Sequence, residues 1–112
     1  MLNVKKYFDS DLPTAISSNP VPARGMGGSY QLDVAGVGSW AIDLSVSPPT
    51  VTPGKHPDPK CKIEISEADL RTIYTFPIAS VKLFTMGRVR VVGNPMLALN
   101  LRTLIQRYPV RD

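Results

Sequence analysis

The stretch Met86–Tyr108, MGRVRVVGNPMLALNLRTLIQRY, constrains the fold more than any other part of this chain. It reads as a strand, a sharp turn and a helix. In Arg88-Val89-Arg90-Val91, charged and β-branched residues alternate with period two, the pattern of a half-buried strand with one wet face. Gly93-Asn94-Pro95 then changes the period. Gly93 permits a turn, Asn94 can accept a hydrogen bond from an orphan helix-start N–H, and Pro95 suits the first helical position, where no N–H is needed. Beyond it Leu97, Leu101, Leu104, Ile105 and Tyr108 share one helical face. Met96 and Leu99 do not. At about 100° per residue they fall beside Thr103 and Gln106, so the helix carries a second, smaller apolar side. That side either meets a neighbouring helix or lines a cavity for an apolar ligand.

Upstream, Val4, Tyr7, Phe8 and Leu12 make a stripe at i, i+3, i+4 and i+8 that predicts a first helix. Pro13 can open a further turn through Ile16, and a short helix fits between Val21 and Met26. No Gly-Lys-Ser/Thr follows the Gly25-Met26-Gly27-Gly28 cluster and a strand comes next, so it reads as a turn rather than a phosphate cradle. Two strands follow. Tyr30, Leu32 and Val34 alternate with Gln31 and Asp33. After Gly36-Val37-Gly38, Trp40, Ile42, Leu44 and Val46 alternate with Ser39, Ala41, Asp43 and Ser45. This is an antiparallel hairpin with one dry face.

Ser47–Pro59 holds five prolines and a glycine, which leaves room only for a brief edge strand at Val51-Thr52. Cys61, Ile63 and Ile65 alternate with Lys60, Lys62 and Glu64 in a further strand. Ser66-Glu67-Ala68-Asp69 then opens a helix as a capping box, with a short acid in the last place. Leu70, Ile73 and Tyr74 form that helix's buried stripe, and Pro77 stops it. Ile78–Met86 is the second anomaly. Six of its nine residues are apolar, yet neither period fits, so the segment is expected to be buried or to cover something apolar.

A chain of 112 residues suits a single domain, 1–112, with a modest core. The 43% apolar fraction and mean hydropathy of −0.03 place it among globular chains. No apolar run approaches the ~20 residues of a spanning helix. Asp9 and Asp11 interrupt any apolar run after Lys5-Lys6, so no export leader is expected. A single cysteine, Cys61, suits a reducing compartment, and a cytoplasmic location is expected. The net charge of +4 is scattered rather than gathered into a stripe with interleaved aromatics, which argues against nucleic acid as partner. Transient attraction to an anionic membrane surface, or simple solubility, accounts for it.

Chemistry-bearing residues are sparse. His56, the only histidine, lies in the proline-rich segment and is expected to be a solvated loop residue. With one histidine and one cysteine the common zinc sets are excluded, and no metal or cofactor is expected. Cys61 follows the inward phase of its strand and reads as a small core residue. Asp33, Asp43, Glu64, Lys62, Arg88 and Arg90 share the outward phase, where cross-strand charge pairs account for them without catalysis. No catalytic residue is assigned.

The order of elements resembles the sterol-carrier-protein type-two domain, or non-specific lipid-transfer domain, over about Tyr7–Leu104. The resemblance rests on Lys62-Ile63-Glu64-Ile65-Ser66-x-x-Asp69-Leu70 and on Gly87-Arg88-Val89-Arg90-Val91-x-Gly93-Asn94-x-x-Leu97-Ala98-x-x-Leu101. Gly28-x-Tyr30-Gln31-Leu32-Asp33 and Gly38-Ser39-Trp40-Ala41-Ile42-Asp43-Leu44 look like the hairpin of bacterial single-domain members. The chain departs from the family pattern at Phe76-Pro77-Ile78-Ala79-Ser80 and at Asn100, where a basic residue is common. It ends Val110-Arg111-Asp112 rather than in a peroxisomal address.

The resemblance implies an α+β fold: a five-stranded, mostly antiparallel sheet with helices packed on one face and an apolar tunnel between the layers. By position, Ile73, Ile78, Val81, Phe84, Met86, Met96, Leu99 and Leu101 are the candidates for lining it; each can also be plain core. The function it implies is binding and carriage of a lipid or other apolar small molecule, such as a sterol, fatty acid or acyl ester. Two alternatives stand beside it. One is the same fold acting as a cofactor-free enzyme on an apolar metabolite, and the other is a dimerisation or interaction module. The oligomeric state is left open.

Overall fold

A computed structural model describes residues 2–110. Arg111 and Asp112, the end on which the absence of a peroxisomal address was read, lie outside them. The chain opens with three consecutive helical pieces: α1 (Val4–Lys6), a π-helical turn (Tyr7–Asp11) and α2 (Leu12–Ser18). The stripe of Val4, Tyr7, Phe8, Leu12 and Ile16 is wholly buried, as the spacing anticipates. A short α3 (Val21–Met26) leads into the hairpin β1 (Ser29–Ala35) and β2 (Gly38–Asp43). Strands β3 (Thr50–Pro53) and β4 (Cys61–Ser66) follow, then α4 (Glu67–Thr75), α5 (Ala79–Thr85), β5 (Arg90–Gly93) and α6 (Pro95–Arg107).

The five strands lie in the order β3-β2-β1-β4-β5. Three pairings are antiparallel, and β1–β4 alone is parallel. On the inner face Tyr30, Leu32, Trp40, Ile42, Cys61, Ile63 and Ile65 are buried and join the helices in one core. Val46 lies beyond the end of β2 and is exposed, so the inward phase stops at Leu44.

The proline-rich stretch has a task that periodicity does not show. β3 is at one edge and β4 is on the far side of β1, so the connection must cross two strands. It does so over the polar face. Gln31 Nε2 donates to the Gly54 carbonyl at 3.2 Å, and the His56 backbone N–H donates to Gln31 Oε1 at 2.6 Å. Lys55 Nζ reaches Asp33 Oδ1 at 3.1 Å.

Local chemistry fixes the helix starts around the second half of the chain. Ser66 accepts from the Asp69 N–H at 3.1 Å, the first half of the expected capping box. The second half is replaced. Asp69 is buried and takes Arg88 side-on, with 2.9 Å to Nη2 and 3.1 Å from Nε. This corrects the expectation that the strand opens at Arg88, whose side chain is exposed and keeps the outward phase beside Asp33, Glu64 and Arg90. A buried carboxylate needs a charged partner, Arg88 is held against α4, and β5 begins two residues later at Arg90. Asn94 caps α6 by accepting from the Met96 N–H, with Pro95 at the first helical position. Gly93 has φ +99°, and a Cβ there would stand 2.4 Å from the Lys60 carbonyl oxygen, so only glycine fits that turn.

Ile78–Met86, which matched neither period, is mostly helix. In α5 only Leu83 is buried, and Val81, Phe84 and the flanking Ile78 and Met86 are exposed. The expected burial is therefore confined to one side chain. Of the other apolar residues, Val81 and Phe84 do the other thing expected of the segment, which is to border a hollow.

Candidate functional site

Between the inner face of β1, β4 and β5 and the helices α4, α5 and α6 lies a cavity of about 270 Å³. Leu32, Ile63, Ile65 and Val91 supply the sheet side, and Leu70 and Ile73 supply the α4 wall. The remaining walls come from one side of α5 and from Met96, Ala98, Leu99, Leu101, Arg102 and Ile105 on α6. Six of the eight candidate lining residues border it: Ile73, Val81, Phe84, Met96, Leu99 and Leu101. Ile78 and Met86 do not; they flank the two ends of α5 in the open.

The lining is graded. Leu32, Ile63, Ile65, Leu70, Ile73 and Leu101 are buried, whereas Leu99 is 42%, Phe84 52%, Val81 55% and Met96 66% exposed. The cavity is therefore closed by the sheet and open between α5 and the first half of α6. The second apolar side of α6, Met96 with Leu99, borders it at the open edge, and Leu101 and Ile105 of the main face border it from within.

Three side chains in the lining are polar: Ser80, Thr85 and Arg102. Thr85 Oγ1 donates back to the Val81 carbonyl at 2.9 Å and so is spent on its own helix. Arg102 Nη1 donates to Ser80 Oγ at 3.0 Å, tying α6 to α5. Its Nε is buried with no hydrogen-bond partner. Neither residue was singled out from the sequence. The available signal was spacing, because Arg102 stands four residues after Ala98 and three after Leu99, on the cavity side of α6.

The other chemistry-bearing residues lie elsewhere. His56 is half-buried, not a free loop side chain, which corrects the solvated-loop expectation. Nδ1 accepts from the Asp58 N–H at 3.0 Å, and Nε2 lies 3.1 Å from Asp43 Oδ2. An Nδ1 used as acceptor places the ring proton on Nε2, which donates to Asp43. Burial alone would raise the Asp43 carboxyl. The Ser45 hydroxyl and N–H together with His56 outweigh burial and hold it below the ordinary carboxylate range. Asp33 behaves likewise, with Gln31, Ser39 and Lys55 prevailing over burial.

The imidazole is thus a strap for the crossing loop. Cys61 is buried in the core, and burial pushes its thiol up, away from a reactive thiolate. Lys62 lies 3.7 Å from Asp33 and 3.3 Å from Glu64 on the outer face. Among the described residues no helix is long and apolar enough to cross a membrane.

The sequence profile of the SCP-2 sterol transfer family fits residues 16–106. The chain belongs to the SCP-2 sterol transfer family. No curated protein matches the sequence.

Among solved structures, the chain is similar to Sterol Carrier Protein 2 from Yarrowia lipolytica in its apo form. The TM-score is 0.73 at 18% identity, covering 94% of this chain and 88% of that one. It is also similar to the UbiJ-SCP2 ubiquinone synthesis protein, with a TM-score of 0.71, 20% identity, and 94% and 90% coverage. A third neighbour is Sterol Carrier Protein-2 from Aedes aegypti in complex with palmitate, at a TM-score of 0.69 and 14% identity, with 97% and 100% coverage. These likenesses establish the SCP-2 fold, α+β with a five-stranded mixed sheet.

Proposed function

We propose that this SCP-2 domain binds and carries a lipid or similarly apolar small molecule, without chemistry of its own, in the cavity beneath α5 and α6. The observation that carries this reading is a hollow walled by aliphatic side chains from six elements and left open at one side. Burial of a chain there withdraws apolar surface from water at about 25 cal/mol per Å², before ordering costs. Selectivity for chain length is soft on this account, because one methylene is worth only ~0.8 kcal/mol. Ser80, Thr85 and Arg102 offer no imidazole, thiol or carboxylate to the interior, which supports carriage over catalysis. The volume lies just under the ~300–1,000 Å³ usual for small-molecule sites, so a slim chain suits it better than a fused-ring sterol. In the family, the Aedes aegypti protein with palmitate supports the same preference.

The six lining candidates are assigned to ligand contact, and Ile78 and Met86 to the rim that meets a membrane during loading. The exposed apolar rim and the net charge of +4 support transient contact with an anionic surface. Co-sedimentation with phosphatidylserine-containing vesicles that weakens with salt is expected; no pelleting at low salt would sink that part. A cytoplasmic setting suits a buried, unpaired cysteine.

Titration with a fluorescent polyene fatty acid tests the carriage itself. Leu99→Arg and Phe84→Asp, at exposed lining positions, should abolish binding while the circular dichroism spectrum stays native. Undiminished binding by both folded variants would refute the site.

A further inference from the structure

The one charged group in the cavity wall is held as though something is still to be bound. Arg102 spends Nη1 on Ser80, which leaves the edge formed by Nε and Nη2 as its second fork. That Nε is buried and unpartnered, the only such side-chain polar atom found among the described residues. None of the ion pairs there involves Arg102, and no carboxylate lines the cavity. Native proteins rarely leave a buried donor unsatisfied, because the unmade bond costs stability, and more so on a charged group. A guanidinium edge offers two parallel N–H groups, the shape that a carboxylate takes side-on.

We propose that Arg102 is a specificity-determining residue: it receives the carboxylate of a single-chain amphiphile on its Nε/Nη2 edge, so that the cavity selects acids over neutral lipids. The inference rests on the carriage reading and sharpens it from any slim apolar molecule to an anionic one. Ser80 is the positioning residue, because its hydroxyl holds the fork from the opposite edge. The chain of the ligand then lies along the aliphatic walls from Ile63 and Ile73 towards Phe84 and Leu99. Sterols and esters offer that edge only a neutral oxygen, which can accept a single hydrogen bond without the charge or the paired geometry, and so they gain less from it.

The experiment compares two probes of identical chain, cis-parinaric acid and its methyl ester, at neutral pH on the wild-type protein, Arg102→Met and Arg102→Lys. Wild type should bind the acid at least about tenfold more tightly than the ester, the effect of one charge-assisted hydrogen bond. Arg102→Met should lose that preference by weakening the acid alone, with ester binding kept as the control for an intact cavity. Arg102→Lys should retain part of it, since a point charge replaces the fork. Equal binding of acid and ester by the wild type, or an undiminished preference in Arg102→Met, would overturn the anion selectivity and leave carriage standing. Binding of neither probe by the wild type would overturn both.

Discussion

The two halves of the helical layer cover the same sheet face in opposite ways. Over β2 and β3 the layer is solid: Tyr7 and Phe8 meet edge to face at 5.0 Å, and Phe8 lies 5.2 Å from the Trp40 ring. Trp40 Nε1 donates to Asp9 at 2.7 Å, and Tyr7 Oη donates to the Tyr108 carbonyl at 2.8 Å. Tyr108 Oη in turn donates to the Asn19 carbonyl and accepts from the Ala23 N–H, so the end of α6 is stitched to the N-terminal helices.

Over β4 and β5 the layer is hollow, and among the described residues Phe84 alone brings an aromatic ring to the space, from its exposed rim. Both halves are apolar. What separates them is volume: large rings with polar handles fill one half, and branched aliphatic side chains underfill the other.

The contrast can be broken from the solid side first. Phe8→Ala should destabilise the protein by about 3–5 kcal/mol in urea titrations, because it opens a void among fixed rings. Phe84→Ala, at an exposed rim, should cost less than about 1 kcal/mol. Equal losses would mean that the two halves are packed alike.

From the hollow side, Ile63→Phe places a ring where the sheet meets the cavity. It should leave stability unchanged or raise it by about 0.5–2 kcal/mol, as cavity filling does, while ligand affinity falls sharply. A loss of several kcal/mol would show that no free volume exists there.

The smallest effect concerns the outer face. Asp33 and Asp43 are held below the ordinary value of 3.8, so their contribution is present above that pH and is lost as pH falls through their lower native values. Asp43→Asn should flatten the acid limb of the stability profile and cost at most about 1 kcal/mol at neutral pH, since the group is partly exposed and its pairing is screened by solvent. An unchanged acid limb would remove the strap between Asp43 and His56 from the account.

Most of the framework was legible because it is periodic. The Tyr30–Leu44 alternation, the Val4–Leu12 stripe and the Asn94-Pro95 start of α6 all record burial against one surface, and the structure has them so. The parts that were not legible answer to other surfaces. α5 turns Val81 and Phe84 towards an opening, so its apolar residues follow no core-facing period. His56 is set by a loop crossing two strands, and Arg88 by a buried acid nineteen residues earlier, neither of which leaves a local pattern. For the site, Met96 and Leu99 were visible as residues off the main face. Arg102 was hidden because a lone arginine on a helix looks like any solvated charge.

Native mass spectrometry of the protein titrated with palmitate measures the central claim most directly. The account predicts a one-to-one adduct for the wild-type chain that survives gentle desolvation and is absent for Leu99→Arg. A folded wild-type protein that shows no adduct, or a Leu99→Arg variant that holds palmitate equally well, would contradict it.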